Sequence, residues 1–286
     1  EMCIRDRYDK EDERLKENIK LFHDWNGQAN GRITVMLGPH APYTCSADYL
    51  RLTADTAKEL GCGIHIHLAE TQQEVKDCVA KNGMTPIQFV DSLGILDAGC
   101  LVAHGVWATE EEISLLVAKK ARVAHNPQSN LKLASGIAPV EKMRQKGVVV
   151  GLGTDGATSN NNLDMLEETR LTAMLHKTVA YDPLAIPAAA AWDMATYQGA
   201  RCIGYENLGK LEEGFLADIV LYDMNKPYWH PRHDRLSLLV YAANAGDADT
   251  AIINGKVIME KKEVKTLDAE KIYAEADAIA RRLTGK

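Results

Sequence analysis

Residues 63–71 read GIHIHLAET, a short strand pattern that runs directly into the start of a helix. Ile and His alternate over residues 64–67. Alternating residue types are typical of a β-strand, because successive side chains point to opposite faces of the sheet. Thr71 is followed three residues later by Glu74, which is a capping-box pattern typical of a helix amino terminus. The stretch therefore predicts one complete strand-to-helix unit.

The same unit recurs on both sides of this stretch. Upstream, Ser46 and Gly61 are the predicted first and last caps of a helix, and downstream Thr109 opens a second capping box. Strands that recur with intervening helices predict parallel βαβ units, and their apolar content fits a sheet buried on both faces. The predicted strands are ITVMLG (33–38), GIHIHLA (63–69), CLVAHG (100–105), ARVAHN (121–126) and VVVGLG (148–153).

Polar residues fall where these strands end, which distinguishes a barrel from an open sheet. In a (β/α)8 barrel the active face is formed by the carboxyl ends of the strands. A closed barrel needs eight strands, so five patterns predict an α/β chain that holds part of a TIM barrel. The residues at these ends are His40, His67, His104, His125 and Asp155.

The predicted secondary structure changes after about Gly204. Short strands and turns follow, with Asn254-Gly255 as a predicted hairpin turn and an amphipathic helix at the end. We therefore predict a partial barrel over 8–204, the C-terminal part of a small β-sandwich domain over 205–264, and a helix over 265–286. Residues 1–7, EMCIRDR, show no periodicity and resemble translated sequencing adapter, so they predict a non-native or disordered leader.

Composition excludes several classes of protein. The 33 Lys and Arg against 40 Asp and Glu give a net charge of −7, which disfavours binding to nucleic acid. No apolar run approaches the ~18 residues of a membrane span, and the first residues are too charged for a signal peptide. The 6 cysteines are scattered without a CxxC pair and predict free thiols. We expect a soluble, cytoplasmic protein.

The residue types at the strand ends suit a divalent metal. Neutral imidazole and carboxylate oxygen are zinc ligands, and strands hold them rigidly. Glu70 lies just past the end of its strand, close to whatever His67 binds, and a glutamate beside metal-bound water can move protons. His65 points the same way as His67 but lies deeper, which is typical of a packed histidine.

Several ordered motifs resemble the amidohydrolase superfamily, and within it the methylthioadenosine/S-adenosylhomocysteine deaminases and their chlorohydrolase-like relatives. The resemblance extends from about Ile33 to Val264 and includes ATYQGARCIGYENLGKLEEGFLADIVLYD (195–223). The other matching stretches are GPHAPYTCS (38–46), HIHLAET (65–71), AHGVW (103–107), AHNPQSNLKLASG (124–136) and GLGTDGATSNNNLDM (151–165).

The resemblance implies that these segments are strands 4–8 of the barrel, and it gives each strand-end residue a role. His67 and Asp155 would bind one zinc ion, although iron and manganese tolerate a similar ligand set. The implied reaction is hydrolytic deamination of an adenine ring, in which Glu70 protonates the ring nitrogen and Asp155 takes a proton from the attacking water. His104 would orient that water, and His40 would contact the substrate.

Two further residues carry open assignments. His125 is either a substrate-binding residue or a residue that hydrogen-bonds a loop. Trp107 follows its strand closely enough to line the substrate pocket. The expected partner is a small nucleoside or purine-like substrate, with no nucleic acid and no membrane, and a homo-oligomer is left open.

The sequence departs from the family pattern at one point, because the strand-1 His-x-His pair that supplies two more metal ligands is absent. His65-x-His67 is a poor candidate for that pair, since a strand precedes it and His104 follows too soon. We expect the pair in upstream sequence and expect this chain alone to be inactive. A guanine deaminase, a triazine chlorohydrolase-like enzyme and a metal-free remnant that binds a partner are the alternatives.

Overall fold

The computed structural model describes residues 11–285, so the leader predicted over residues 1–7 lies outside the described residues. The chain divides into two compact units, of which one ends at Glu206 and the other begins at Asn207. Among residues 11–285, no helix is both long enough and apolar enough to cross a membrane.

The first unit is built on a four-stranded parallel sheet in the order β1-β2-β3-β4. The central side chain of each strand is an aliphatic residue that is at most 1% exposed, so the sheet lies within the core. The predicted α/β class with a parallel sheet is confirmed, and the barrel stays a prediction. The strands are β1 (His65–Leu68), β2 (Leu101–His104), β3 (Arg122–His125) and β4 (Val149–Leu152).

The first predicted strand, ITVMLG (33–38), forms a single parallel bridge instead of a ladder. Leu37 pairs with Ile64, donating its N–H to the Gly63 carbonyl and accepting from the His65 N–H. The chain nevertheless runs on beside β1, because His67 N–H donates to the His40 carbonyl at 3.0 Å. This segment therefore brings His40 next to β1, as the predicted strand would have done.

Helices join consecutive strands, and several begin where the sequence predicts. Ser46 accepts a hydrogen bond from the Tyr49 N–H, and Gly61, at a φ of 65°, ends α3. Both halves of the predicted capping box are present at Thr109. The helices are α1 (Glu11–Trp25), α2 (Gln28–Gly31), α3 (Ala47–Leu60), α4 (Gln72–Asn82), α5 (Pro86–Ser92), α6 (Glu110–Ala118), α7 (Pro127–Lys132), α8 (Val140–Gln145), α9 (Ala157–Asn160), α10 (Met165–Ala180), α11 (Ala188–Ala195) and α12 (Tyr197–Cys202).

Gly151 of β4 lies so close to α12 that a methyl group would not fit. A Cβ at Gly151 would lie 2.8 Å from the Gly199 Cα and 3.1 Å from the Cys202 Sγ. We expect Gly151→Ala to lower the free energy of unfolding by about 1–3 kcal/mol, because the α12 backbone must move. Urea unfolding measures this, with Gly38→Ala as the control because a Cβ there meets nothing within 4 Å. Equal stability of the two variants would contradict the packing.

The second unit is built on an antiparallel sheet in the order β5-β6-β7-β8. The predicted Asn254-Gly255 turn joins β6 to β7, with φ values of 51° and 71°, the left-handed conformation that a tight hairpin turn requires. The sandwich architecture stays a prediction. The elements are β5 (Ile219–Tyr222), α13 (Arg235–Tyr241), β6 (Ala248–Ile253), β7 (Lys256–Glu260), β8 (Glu263–Val264) and α14 (Ala269–Thr284).

Candidate metal and catalytic site

The predicted site residues of the first unit meet at one edge of the parallel sheet. His104 and His125 are the last residues of β2 and β3, and His67 is the third residue of β1. The register places Leu68 opposite His104 and His125 opposite Leu152, so the carboxyl ends of the strands are level. Asp155 follows three residues after Leu152 and lies at the same edge.

The backbone at this edge is left-handed at three residues other than glycine. The φ values are 52° at Ala69, 75° at His104 and 59° at Asp155. Each such conformation costs on the order of 1–3 kcal/mol and persists only where surrounding structure holds it, most often at functional sites. At this edge, left-handed backbone therefore coincides with the side chains that could bind a metal.

Three of these residues form a group that could hold a metal ion. One ligand atom each from His67, His104 and Asp155 lie within 4.8 Å of one another. His104 is buried, whereas His67 and Asp155 are half-buried. His65, two residues before His67, lies outside the group and is exposed, so the packed position predicted for it is wrong.

Neighbouring groups fix the orientation of both histidines. The Nδ1 of His67 lies 2.8 Å from the His40 carbonyl oxygen, which can only accept, so Nδ1 carries the hydrogen and Nε2 is free to bind a ligand. The Nδ1 of His104 lies 2.8 Å from Asn130 Oδ1. The His104 Nε2 is 3.7 Å from Glu70 Oε2.

Asp155 is held in its ionised form. Ser129 Oγ donates a hydrogen bond to Asp155 Oδ2 at 2.7 Å. Burial acts to raise the pKa of Asp155, but the hydrogen bonds from Ser129 and from the Gly156 backbone, together with nearby His104, lower the pKa below its ordinary value. The carboxylate therefore has the charge state that a metal ligand needs.

Glu74 and Ser135 position Glu70, a role that the sequence does not predict for either residue. The Glu74 carboxylate accepts from the Ala69 N–H at 3.0 Å and from the Glu70 N–H at 2.7 Å. The predicted capping box at Thr71 is therefore wrong in one half: Thr71 caps α4, but Glu74 reaches past it to the loop that presents Glu70. Ser135 Oγ donates to Glu70 Oε1 at 3.2 Å.

Trp107 and His40 lie beside this group. The Trp107 indole donates to the Ser135 carbonyl at 2.8 Å, and its backbone N–H donates to the Ala69 carbonyl. The Trp107 side chain is 40% exposed, and its role in lining a pocket stays a prediction. His40 Nδ1 bonds Thr44 Oγ1 at 2.8 Å, and its ring centroid lies 4.8 Å from that of His67. Contact of His40 with substrate also stays a prediction.

His125 is completely buried and pairs with a histidine that the sequence analysis did not select. Its Nε2 lies 3.2 Å from the Nε2 of His176 on α10, whereas its Nδ1 has no hydrogen-bond partner among the described residues. Burial, with His176 and His104 nearby, lowers the pKa of His125 well below its usual range. His125 thus pairs with a helix residue and not with a loop, and its contact with substrate stays a prediction.

Burial of the His125–His176 pair predicts that the folded chain becomes less stable as the pH falls. Burial, followed by the charge of Arg144, lowers the pKa of His176 to about 4, against ~6.5 in an unfolded chain. Between these values the unfolded chain binds a proton that the folded chain does not, so the free energy of unfolding falls as the pH falls. We expect a loss of up to about 3 kcal/mol from His176.

Urea unfolding at pH 7 and at pH values approaching 4 measures this loss. His176→Gln removes the titrating group, so the variant should lose less stability than the unchanged chain over that range. The same pH dependence in both would contradict a neutral, buried His176.

The donor set of the three-residue group fits a divalent metal such as zinc. Two imidazoles and one carboxylate are zinc ligands, and each has a hydrogen-bonded neighbour that orients it. A cavity of about 420 Å³ adjoins Glu70, between Tyr43 and the α4 face that carries Gln73 and Asp77. This volume lies within the range of small-molecule sites.

Comparison with known proteins gives matches over nearly the whole chain. The sequence pattern of the Amidohydrolase family matches residues 2–258. A 5-methylthioadenosine/S-adenosylhomocysteine deaminase of Dictyoglomus thermophilum is 51% identical over 276 residues, which are 96% of this chain and 65% of the relative. The protein of the same description from Moorella thermoacetica is 53% identical over 268 residues, 93% of this chain and 63% of the relative.

Solved structures match as well. An adenosine deaminase from Xanthomonas campestris with bound zinc superposes with a TM-score of 0.92 at 35% identity, over 96% of this chain and 62% of that one. Atrazine chlorohydrolase from Arthrobacter aurescens, complexed with zinc, superposes with a TM-score of 0.86 at 27% identity, over 94% and 60%. The chain thus spans less than two thirds of the length of these relatives.

Proposed function

Because this chain belongs to the amidohydrolase family, we propose that it carries strands 4–8 of a (β/α)8 barrel and most of the catalytic groups of a metal-dependent hydrolytic deaminase. The observation that carries the proposal is the convergence of His67, His104 and Asp155 within 4.8 Å, with Glu70 Oε2 at 3.7 Å from His104. The second unit would be the C-terminal part of a small β domain.

The proposed substrates are adenosine-type thioethers, S-adenosylhomocysteine and methylthioadenosine. Relatives at 50% identity and above carry the name of that activity, whereas the triazine hydrolase neighbours are 27% identical. Guanine deamination and triazine dechlorination would keep the same metal ligands and change the pocket, so they remain the enzymatic alternatives.

We propose metal-binding roles for two of the residues present. His67 and Asp155 would hold the ion, for which zinc is the proposed identity because zinc is bound in similar structures. A bound divalent ion would lower the pKa of water toward ~7 and so supply a nucleophile at neutral pH.

The chain's own groups would then move the protons. His104 Nε2 faces Glu70 and would orient the attacking water. Glu70 would take one proton from the attacking water and give it to the ring nitrogen beside the amine-bearing carbon, while the water oxygen bonds to this carbon. Asp155 would take the remaining hydroxyl proton and pass it to the amine, so that the carbon–nitrogen bond breaks and the nitrogen leaves as ammonia. His40 would contact the substrate from the segment beside β1.

The test compares this chain with a composite protein, defined as the chain joined to the portion of the D. thermophilum relative that the alignment leaves unmatched. Ammonia release is measured from methylthioadenosine, S-adenosylhomocysteine, adenosine and guanine, and chloride release from atrazine, with zinc supplied. We expect the composite to deaminate the thioethers and the chain alone to be inactive, because the chain would hold the ion through His67 and Asp155 alone, whereas catalytic zinc normally has three protein ligands besides water.

Each other outcome identifies a different function. Reaction with guanine or atrazine alone would replace the proposed substrate. A folded composite that neither binds zinc nor shows any activity would favour the metal-free remnant that binds a partner. Zinc-dependent deamination by the chain alone would show that its own ligands suffice.

A further inference from the structure

One short segment contacts three catalytic candidates that belong to other parts of the sheet edge. The segment is residues 129–135, which include the end of α7 and the turn after it. Its contacts are Ser129 Oγ to Asp155 Oδ2 at 2.7 Å, Asn130 Oδ1 to His104 Nδ1 at 2.8 Å, and Ser135 Oγ to Glu70 Oε1 at 3.2 Å.

The three contacting side chains are buried and their backbone is fixed. Ser129 is 0% exposed, Asn130 1% and Ser135 3%, so water cannot replace their hydrogen bonds without rearrangement. Asn130 N–H donates to the Asn126 carbonyl, and Ser135 N–H donates to the Asn130 carbonyl at 2.8 Å. The Trp107 indole also donates a hydrogen bond to the Ser135 carbonyl. The segment is therefore fixed independently of the groups that it contacts.

Among the described residues, the oxygen of the Asn130 side-chain amide has a hydrogen-bond partner and the nitrogen has none. Its Nδ2 is buried and has no hydrogen-bond partner among the described residues, which is unfavourable for a strong donor. The oxygen end faces His104 Nδ1, and an amide oxygen can only accept a hydrogen bond. His104 must then carry its hydrogen on Nδ1, which leaves the Nε2 lone pair facing Glu70 and the metal-binding group.

We propose that residues 129–135 are a positioning segment that holds Glu70, His104 and Asp155 in one arrangement, and that Asn130 keeps His104 in the Nδ1–H tautomer. The catalytic meaning of this arrangement rests on the proposed function. Because one segment positions all three side chains, a small displacement of the segment would misplace them together. Misplacement of a catalytic group by 1 Å can lower the reaction rate by about 100-fold.

The tautomer is tested on the chain itself, free of metal, by nitrogen NMR at a pH where histidine is neutral. The 9 histidines are labelled with ¹⁵N, and His104 is assigned from the signal that His104→Gln removes. We expect the Nδ1–H form in the unchanged chain. Asn130→Asp keeps an acceptor oxygen and should retain this form, whereas Asn130→Leu should shift His104 toward Nε2–H.

Two results would overturn the role of Asn130: the Nε2–H form in the unchanged chain, or the same tautomer in Asn130→Leu as in the unchanged chain. The first result does not depend on the folding of any variant at position 130. Amide spectra show whether each variant is folded.

The support of Asp155 has a separate readout, the zinc affinity of the chain measured by equilibrium dialysis. We expect Ser129→Ala to weaken zinc binding about 10–100-fold, as the loss of a hydrogen bond to a metal ligand does. Ser92→Ala is the matched control, because that exposed hydroxyl donates to the Phe89 carbonyl and Ser92 is outside the metal-binding group. Equal affinities of the two variants would overturn this support.

Neither readout requires turnover. Absence of deaminase activity would therefore reject the proposed function without affecting these results, and an unexpected tautomer would reject the positioning segment without affecting the proposed function.

Discussion

Replacing Glu70 by glutamine is expected to lower kcat of the composite protein by about 10²–10⁴-fold, the usual contribution of a positioned acid or base. Glutamine has nearly the same shape, and its amide oxygen can still accept the hydrogen bond from Ser135. It cannot carry a proton between water and the ring nitrogen. Steady-state ammonia release measures the loss, with zinc content measured in parallel.

The control for this replacement is Glu59→Gln, an exposed carboxylate on α3 that lies outside the candidate site. It should leave both kcat and zinc content unchanged. Glu70→Gln with more than about a tenth of the original kcat would show that Glu70 is not the proton carrier, since general acid–base catalysis is worth more than that. Lost zinc in the same variant would instead assign Glu70 to the metal.

His67→Ala is expected to lower both zinc affinity and deamination of the composite by at least about 100-fold, because loss of a ligand exceeds loss of a residue that only supports one. His65→Ala is the matched control: the same residue type on the same strand, exposed and outside the metal-binding group. Removal of metal with a chelator should abolish activity in the unchanged composite, and added zinc should restore it.

The result that contradicts this assignment is equally direct. If His65→Ala loses zinc and His67→Ala keeps it, the metal lies deeper in the sheet than the ligand atoms of His67, His104 and Asp155 indicate. Activity that survives exhaustive chelation would remove metal from the mechanism altogether.

Local patterns in the sequence were sufficient to predict the parallel sheet and most of the positions at which its connecting helices begin. The apolar runs before His104, His125 and Asp155 form neighbouring parallel strands, because strand burial depends on composition over four to six residues. Level strand ends then follow from parallel pairing. ITVMLG (33–38) is also apolar but forms only one bridge, so apolar composition alone does not decide whether a segment pairs along its length.

Several side-chain contacts could not be predicted from those patterns. The spacing from Thr71 predicts Glu74 as half of a capping box. Its carboxylate instead accepts hydrogen bonds from backbone N–H groups of the loop before α4. His176 pairs with His125 across 51 positions, and no spacing rule relates them. Ser135 lies within a motif that the resemblance identified, but only the fold shows that its hydroxyl reaches Glu70.

The left-handed backbone at His104 and Asp155 restricts which amino acids evolution could sample at these two positions. Residues that accept positive φ with little penalty are glycine and, to a smaller extent, asparagine, aspartate and histidine, whereas β-branched residues are effectively excluded. Two of these four types are metal ligands. A short loop that turns sharply at the end of a strand thus limits these positions to a few residue types, of which half can coordinate a metal, before any selection for catalysis acts. In saturation libraries at positions 104 and 155, the folded variants should carry residues from the same small set.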